Sequence, residues 1–552
     1  MNERGLNLLV FREGRRHVSG SGLKLALMTR LEKPNSFSSR DDFADALLRA
    51  GELECGLADA NNIATLSVAE LTRCLAEALL RGQLPDNFSS IKKDFETGIS
   101  VPEWVTLSTP EGFAYYALHP LAYADAVRML PALPRNVVIV GIRSIGATLS
   151  AVTAAAIALR GAQVQRITVR PTGHPYNRRT EFSAQQLTLI KSSAPVDSAF
   201  LIVDEGPGLS GSSLLSVAEA LEKAGVARKK IILLCGHEPK AEALCSDNAA
   251  ERWRRYQCLP AAGEPHRPAG AGIFIGGGQW RIRLFDRESE WPGAWTSMER
   301  LKYLSSEEAG PRLFKFAGLG HYGQCILERE ERVAAAGFGP TPRQESDGFV
   351  SYPWIEGRTM SASDLSQNAL VRLAEYCAFR AQTFSASDVD ISVLQEMAQH
   401  NLSELGFDSM TNLKLERPAI ADGRMQPHEW LLAPSGQMLK TDSGGHGDDH
   451  FFPGPTDIAW DLAGAIVEWR MSEEHAKAML DHYCRASGDD ASERIAGFIK
   501  AYTVFRLSYC LMAANGMAGS DEQPRLQRTA ESYRTLLTQI KTHSLAAASS
   551  LP

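Results

Sequence analysis

The sequence predicts an α/β protein in which a doubly wound parallel sheet is followed by a differently built α+β domain, with a small helical region in front. Three observations indicate this. Apolar runs alternate with helical periodicity between about residues 108 and 260. Phe200 to Val203 is an unbroken apolar run, typical of a strand covered on both faces. The composition then changes after a stretch rich in Pro, Gly and Ala.

Composition and charge restrict the class of protein. The 552 residues carry 58 basic and 65 acidic side chains, a formal net charge of -7, which gives no sign of a nucleic-acid or membrane surface. Nine cysteines without a C-x-x-C pair indicate reduced thiols and a cytoplasmic location. No apolar run is long enough to span a membrane. We therefore expect small-molecule partners, and a homodimer is compatible with the sequence.

The pattern along the chain predicts five segments. They are a helical N-terminal region (1–107), the parallel-sheet domain (108–260), a linker (261–271), a second domain (272–545) and a disordered tail (546–552). The N-terminal region has apolar positions at helical spacing over Phe43 to Ala58 and Leu66 to Leu80. It shows no residues that indicate chemistry.

The stretch from Phe200 to Leu214 carries the strongest functional signal of the first half. Asp204 and Glu205 follow the apolar strand directly, and a loop rich in Gly and Ser then leads into a helix. Backbone N–H groups at a helix start bind anions. The plain alternative is a strand-turn-helix that uses Gly and Ser only to turn.

Other strands are predicted beside this one, at Val137 to Val140, Val164 to Val169 and Ile231 to Leu234. Ligands of such sheets bind outside the carboxyl ends of the strands. The loop from Arg170 to Arg179 carries three arginines, which suit a polyphosphate. An exposed basic loop is the alternative for its last two arginines.

The stretch from Phe200 to Leu214 resembles the diphosphate-sugar motif of type I phosphoribosyltransferases. The resemblance implies that Asp204 and Glu205 hold the sugar hydroxyls at the catalytic centre. It implies phosphate contacts from Ser210, Gly211, Ser212 and Ser213. The loop after the first strand resembles the family's pyrophosphate loop, with Arg143, Ser144 and Gly146, and Arg170 adds a further contact. Phosphoribosyl pyrophosphate and Mg²⁺ are the implied ligands.

The second half predicts a new series of elements. They are a hairpin (Ile273 to Phe285), a strand with Lys315 (Arg312 to Gly318), a Glu-rich helix (Cys325 to Ala336) and a strand with an exit turn (Gly348 to Arg358). Helical periodicity follows at Ala476 to Cys484 and Phe498 to Met512.

This order resembles the small lobe of the aminoglycoside phosphotransferase and choline kinase group, whose two-lobed α+β fold is protein-kinase-like. The stretches Gly436 to Asp442 and Asp457 to Ala463 continue the resemblance into a helical lobe. It implies that Lys315 contacts nucleotide phosphates, with Glu328 or Glu330 as its partner. It implies that Asp442 is the metal ligand and that ATP is the nucleotide.

The segment from Asp422 to Trp430 departs from that group's pattern. Arg424 stands where the catalytic Asp is expected, and Glu429 where the metal-binding Asn is expected. An arginine cannot accept a proton. Either Asp422 substitutes for the missing base, or the lobe phosphorylates nothing.

A cluster from His446 to His450 concentrates two His and two Asp. Its spacing permits a metal bound by His446, Asp448 and His450, although a solvated hydrophilic loop has the same composition.

Three functions follow from these patterns. The first is a phosphoribosyltransferase that binds phosphoribosyl pyrophosphate with Mg²⁺ and transfers the sugar phosphate to a small acceptor. The alternative is an ATP-dependent small-molecule phosphotransferase in the C-terminal half. The third is a catalytically degenerate, nucleotide-binding regulator.

Overall fold

The computed structural model describes residues 6–32, 37–98, 100–130, 132–261, 266–307 and 310–549, with the side chains of 307 and 541–549 excepted. Residues 262–265 of the predicted linker lie outside this part. So do residues 550–552 of the predicted tail, whereas the preceding residues belong to a helix that is described up to Ser549. Within the described residues, no helix combines the length and apolar character that crossing a membrane needs.

The first part of the chain is helical, as predicted, with one strand pair. Its elements are β1 (Arg15–Ser19), α1 (Gly20–Glu32), α2 (Arg40–Asp59), α3 (Thr65–Arg81), α4 (Phe88–Gly98) and β2 (Trp104–Ser108). Ser39 caps α2 by accepting a hydrogen bond from the Asp42 amide, while the Asp42 carboxylate accepts one from the Ser39 amide. The strands β1 and β2 pair in antiparallel fashion.

A five-stranded parallel sheet follows, in the order β4-β3-β7-β8-β9. The elements here are α5 (Glu111–Ala114), α6 (Pro120–Met129), β3 (Asn136–Ile142), α7 (Ile145–Ala158), β4 (Gln163–Val169), β5 (Thr172–His174), β6 (Asn177–Arg179), α8 (Ala184–Ser193), β7 (Ser198–Val203), α9 (Ser212–Lys223), β8 (Ile231–Cys235), α10 (Ala249–Trp253) and β9 (Gln257–Pro260). All six residues of β7 are buried, because α7 packs on one face of the sheet and α9 on the other.

The second half begins with an antiparallel sheet in the order β10-β11-β12-β14-β13. Its elements are β10 (Ile273–Phe274), α11 (Arg281–Leu284), β11 (Lys302–Glu307), β12 (Gly310–Phe316), α12 (His321–Ala335), β13 (Arg343–Gln344) and β14 (Phe349–Pro353). The hairpin predicted within residues 273–285 is wrong. Only Ile273 and Phe274 form a strand there, whereas Arg281 starts a helical turn and its guanidinium binds the distant Glu522.

A mainly helical part completes the chain. Its elements are β15 (Arg358–Thr359), α13 (Gln367–Thr383), α14 (Ile391–Glu404), β16 (Pro418–Ala419), β17 (Trp430–Leu432), β18 (Met438–Lys440), β19 (Thr456–Asp457), α15 (Ala459–Glu468), α16 (Glu473–Ser487), α17 (Ile495–Gly516) and α18 (Glu522–Ser549). Clefts lie between the sheet of β10 to β14 and this mainly helical part.

The two halves of the molecule contact each other at several places, including the following two. His321, at the start of α12, lies between carboxylates of α2, with Nδ1 3.3 Å from Asp45 and Nε2 3.2 Å from Glu52. Residues 6–12 pack against the helical part: Leu8 and Val10 are buried in its core, and the Asn401 side chain pairs with the backbone of Leu9. Leu8 and Val10 are therefore part of the C-terminal core.

Candidate functional site

Two connected clefts lie between the antiparallel sheet and the helical part. We call them the Lys315 cleft and the Arg424 cleft. The first is lined by Ile275, Trp280, Leu284, Lys302, Leu313, Lys315, Glu330, Pro340, Tyr352, Pro353, Trp354, Ile355, His428, Glu429, Leu431, Thr441 and Asp442. The second shares Trp280, Lys302, Lys315, His428, Glu429 and Asp442 with it. The clefts meet at these shared side chains.

Lys315 and Asp442 form an ion pair where the two clefts meet. The Lys315 ammonium, on the central strand β12, donates a hydrogen bond to Oδ1 of Asp442, just after β18. Lys315 is buried, and this burial, with nearby Lys302 and Arg300, lowers the pKa of its ammonium. Asp442 has φ 54°, a left-handed conformation that costs energy for a residue with a Cβ. Such strain is common where a side chain must be held at a functional position.

Glu330 does not pair with Lys315 in this structure. Its carboxylate accepts hydrogen bonds from the Ser443 hydroxyl at 2.7 Å and the Gly444 amide at 2.6 Å. A Cβ on Gly444 would lie 2.7 Å from Oε1 of Glu330, so this close approach needs glycine. Glu330 therefore fixes the turn that follows Asp442. Glu328, the other predicted candidate, lies outside the Lys315 cleft and accepts a hydrogen bond from Gln324 on its own helix.

Asp422 is fully buried and does not face either cleft. Its carboxylate binds the Tyr376 hydroxyl and lies 3.3 Å from the Lys440 ammonium. The Asp461 carboxylate accepts the backbone amides of Asp422 and Gly423 at 2.7 and 2.9 Å. Asp422 thus stabilises its own loop from within the core. This position argues against the expectation that Asp422 replaces the missing base.

Arg424 extends into the cleft that bears its name. That cleft is lined by Tyr115, Trp280, Pro292, Gly293, Ala294, Trp295, Met298, Glu299, Arg300, Lys302, Lys315, Arg424, Gln426, His428, Glu429, Asp442, His446, Asp449, His450, Phe451, Arg506 and Tyr509. The Arg424 guanidinium lies 5.6 Å from the centre of the Tyr509 ring. Within the described ranges, it makes no side-chain hydrogen bond and has no carboxylate within 4.0 Å.

Other cations of the Arg424 cleft differ in how they are held. Arg300 donates to the carbonyls of Ala114 at 3.3 Å and Ala317 at 2.7 Å, and Arg506 pairs with Glu468 at 3.4 Å. Lys302 lies over the Trp280 ring and has no ion-pair partner among the residues that the structure describes. The sequence patterns did not single out these three cations, because arginine and lysine are common on surfaces and only the fold brings them together.

His446 connects two carboxylates in the same cleft. Its Nε2 lies 3.2 Å from Asp442 and its Nδ1 3.3 Å from Asp449. Burial and the nearby Arg424 lower the pKa of His446 to about 4, so the ring is neutral at pH 7.

The metal cluster predicted at His446, Asp448 and His450 does not form. Asp448 binds Arg329, and His450 packs against Tyr115. In the described part of the chain, no three His, Cys, Asp or Glu residues converge as metal ligands. These side chains diverge because each has a different packing partner.

The acidic pair predicted in the first half lies at the carboxyl end of β7. Burial raises the pKa of Asp204 to about 7. Burial and the neighbouring Asp204 raise the pKa of Glu205 to about 8. The Glu205 carboxylate accepts the Gly112 amide at 2.7 Å, and the Tyr123 hydroxyl donates to the Asp204 carbonyl at 2.6 Å. At the carboxyl end of the sheet, the Glu205 side chain therefore holds α5 and the backbone of Asp204 holds α6.

The arginines predicted to bind pyrophosphate are bound to Asp59 of α2. Arg143 lies 2.8 Å and Arg170 2.5 Å from its carboxylate, and Arg170 also donates to the Arg143 carbonyl at 2.7 Å. The loop that carries Arg143 is strained, since the next residue, Ser144, has φ 116°. A Cβ on Gly146 would lie 2.8 Å from the Val203 carbonyl. No sequence pattern indicated Asp59, which is one acid at the end of an ordinary helix.

The hydroxyls predicted to bind the 5-phosphate are also occupied within the chain. Ser210 and Ser212 both donate to the Pro175 carbonyl, at 2.8 and 2.5 Å, because the β5–β6 hairpin folds over this loop. Gly211 precedes α9 with φ 67°. The Ser213 hydroxyl, in the first turn of α9, makes no hydrogen bond to the described residues. The predicted residues thus lie together at the carboxyl end of the parallel sheet, but most of them are bound to other groups of the protein.

Comparisons with known proteins give only distant likenesses. No protein-family model and no curated protein matches the chain. Part of it aligns with the choline kinase LicA of Streptococcus pneumoniae (14% identity, 42% of this chain, 89% of the other, TM-score 0.31). Similar alignments are found with a choline kinase of Cryptosporidium parvum (12%, 49%, 96%, 0.31) and an ethanolamine kinase of Plasmodium vivax (11%, 43%, 79%, 0.30). At TM-scores this low the likeness supports no conclusion about function.

Proposed function

We propose that the C-terminal half is an ATP-dependent small-molecule phosphotransferase. It binds the nucleotide in the Lys315 cleft and the acceptor in the Arg424 cleft. The observation that carries this proposal is the Lys315–Asp442 ion pair, which lies where the two clefts meet. A cation and a carboxylate at such a junction are what a transferred phosphoryl group and its metal ion need.

The Lys315 cleft has the polarity of a nucleotide site. One part of its lining is apolar, with Ile275, Leu313 and Leu431, and suits a planar base. The lining also carries Lys315 and Lys302, which are paired across β12 and β11 and suit phosphates. The base and the polyphosphate of one nucleotide can therefore contact the apolar part and the lysines together.

The residues present fit Mg²⁺. Asp442 and Glu429 are hard oxygen donors that line both clefts, and Mg²⁺ is commonly held by one or two carboxylates together with substrate phosphates. Although burial would raise it, Lys440 and His428 lower the pKa of Glu429 to about 2, so its carboxylate is fully ionised at neutral pH. When bound, the ion would neutralise charge on the phosphates. Lys315 would orient the terminal phosphoryl group, and Glu330 would keep the turn after Asp442 in place.

The phosphoribosyltransferase hypothesis stays a prediction, and it is the weaker of the two. Arg143 and Arg170 are bound to Asp59, and the loop hydroxyls are bound to Pro175. A diphosphate would have to displace these contacts. Calorimetric titration with phosphoribosyl pyrophosphate and Mg²⁺ tests it, and micromolar binding that is lost in Asp204→Asn would restore it.

The test of the proposed function is nucleotide binding by the full chain. Calorimetric titration with Mg²⁺ and a non-hydrolysable ATP analogue should show binding, and Lys315→Met should weaken it about tenfold or more, since a charge-assisted hydrogen bond is lost. The exposed Lys229→Met is the matched control and should bind as the wild type does. Absence of binding by the folded wild type, or equal binding by Lys315→Met, would refute the proposal. Binding without ADP formation would favour the regulator instead.

A further inference from the structure

Neither Arg424 nor Asp422 can take a proton from a hydroxyl group that binds in the Arg424 cleft. Arg424 cannot accept a proton. Asp422 is buried away from the cleft and bound to Tyr376. A hydroxyl acceptor needs a base, because its oxygen must lose a proton as it attacks phosphorus.

The carboxylates that line the cleft already have partners or a proposed role in metal binding. Asp442 contacts Lys315 and His446. Asp449 accepts the Phe451 amide at 2.8 Å and lies 3.3 Å from His446. Glu299 accepts the Gly278 amide and the Trp280 indole N–H. Glu429 is already assigned as a proposed ligand of Mg²⁺.

The same cleft offers cations that lack an anionic partner. Arg424 and Lys302 make no ion pair with the described residues, and the hydrogen-bond acceptors of Arg300 are backbone carbonyls. Arginine binds phosphate oxygens in a bidentate manner. A phosphate monoester carries nearly two negative charges at pH 7, which suits several cations better than a carboxylate does.

We infer that the phosphoryl acceptor is a phosphate monoester bound by Arg424. An ionised oxygen of this monoester attacks the terminal phosphorus of ATP without the help of a base. This inference rests on the proposed function. The bond between the terminal phosphorus and the bridging oxygen of ATP breaks, and a bond from the acceptor oxygen to that phosphorus forms. ADP leaves with the bridging oxygen and its electron pair. The product is a phosphoanhydride, and no proton is released. The replacement of an aspartate by Arg424 thus changes the acceptor class instead of abolishing transfer.

Binding provides the first test. The full chain, saturated with Mg²⁺ and a non-hydrolysable ATP analogue, is titrated with ribose 5-phosphate, glycerol 3-phosphate and phenyl phosphate, and with ribose, glycerol and phenol. At least one phosphate ester should bind at least tenfold more tightly than its parent. Arg424→Gln should remove about tenfold to a hundredfold of that affinity without changing nucleotide affinity. Arg424→Lys should restore part of it, and the exposed Arg255→Gln should behave as the wild type.

Proton release provides the second test. The full chain is mixed with Mg²⁺, ATP and the esters that bind, and ADP formation and proton release are measured in the same reaction, the latter with a pH indicator. The inference predicts ADP without stoichiometric protons, whereas transfer to a hydroxyl, with His446 and Asp449 as the base, would release a proton with each ADP and overturn it. Nucleotide binding with no preference for the phosphate esters would also overturn it, while leaving the proposed function standing. Failure of nucleotide binding would refute the proposed function itself.

Discussion

His321 makes the junction between α2 and α12 sensitive to pH. Burial alone would lower its pKa, but Glu52 and Asp45 outweigh burial and raise it to about 9 from an ordinary value of 6.5. A raised pKa means that the folded protein binds a proton more tightly than the unfolded chain does. The stabilisation is therefore fully present below about pH 6.5 and is lost as the pH rises through about 9.

The size of this effect follows from the pKa difference. Each unit corresponds to about 1.4 kcal/mol, so the protonated junction contributes on the order of 3 kcal/mol at pH 6.5. In His321→Gln this contribution is absent at every pH. The gap between wild type and variant should therefore be largest at pH 6.5, and it should close by about pH 10.

Scanning calorimetry of both proteins between pH 6 and 10 measures this gap. We expect the first transition of the variant to lie roughly 5 to 10 °C lower at pH 6.5, from the usual relation between free energy and melting temperature. The exposed His237→Gln is the matched control and should show no gap. A gap of constant size, or one that widens with pH, would refute the reasoning that the ion pairs of His321 stabilise this junction.

Two further changes test contacts described above. Asp59→Asn should free Arg143 and Arg170 and lower the melting temperature in a buffer without phosphate. Added phosphate should then raise the melting temperature of the variant more than that of the wild type. Equal phosphate responses would contradict the role of Asp59 as the internal partner of the two arginines. Gly444→Ala should displace Glu330, because a Cβ has no room beside the Glu330 carboxylate. The displacement should move Asp442 and weaken binding of the ATP analogue about tenfold. Unchanged affinity in calorimetry would show that the turn does not position Asp442.

Local patterns predicted the elements that depend on their own residues. The apolar run at Phe200 to Val203 forms a fully buried strand, because both faces of the sheet are covered by helices. Helical periodicity could also have separated Glu330 from Glu328. Glu330 lies three residues from both Leu327 and Val333 and shares their buried face.

Partners that are distant in sequence could not be predicted from one chain. Arg281 lies in a helical turn where a hairpin strand was predicted, and it binds the distant Glu522. Asp59 binds the arginines that were expected to hold pyrophosphate, although 84 residues separate it from Arg143. The type of side chain was informative in each case, but tertiary packing determined which oppositely charged group it met.

The burial of Leu8 and Val10 in the C-terminal core affects how the protein is made. During synthesis these residues leave the ribosome long before their neighbours Asn401 and Phe452, which come hundreds of residues later. This segment stays without its native partners until the helices of its core have been synthesised. Its apolar side chains are meanwhile exposed to non-native contacts. A fragment that begins at residue 272 would lack the segment, and the core surface that it covers would face water. Expression of the C-terminal half therefore requires residues 6–12 to be supplied with it, by fusion or as a peptide.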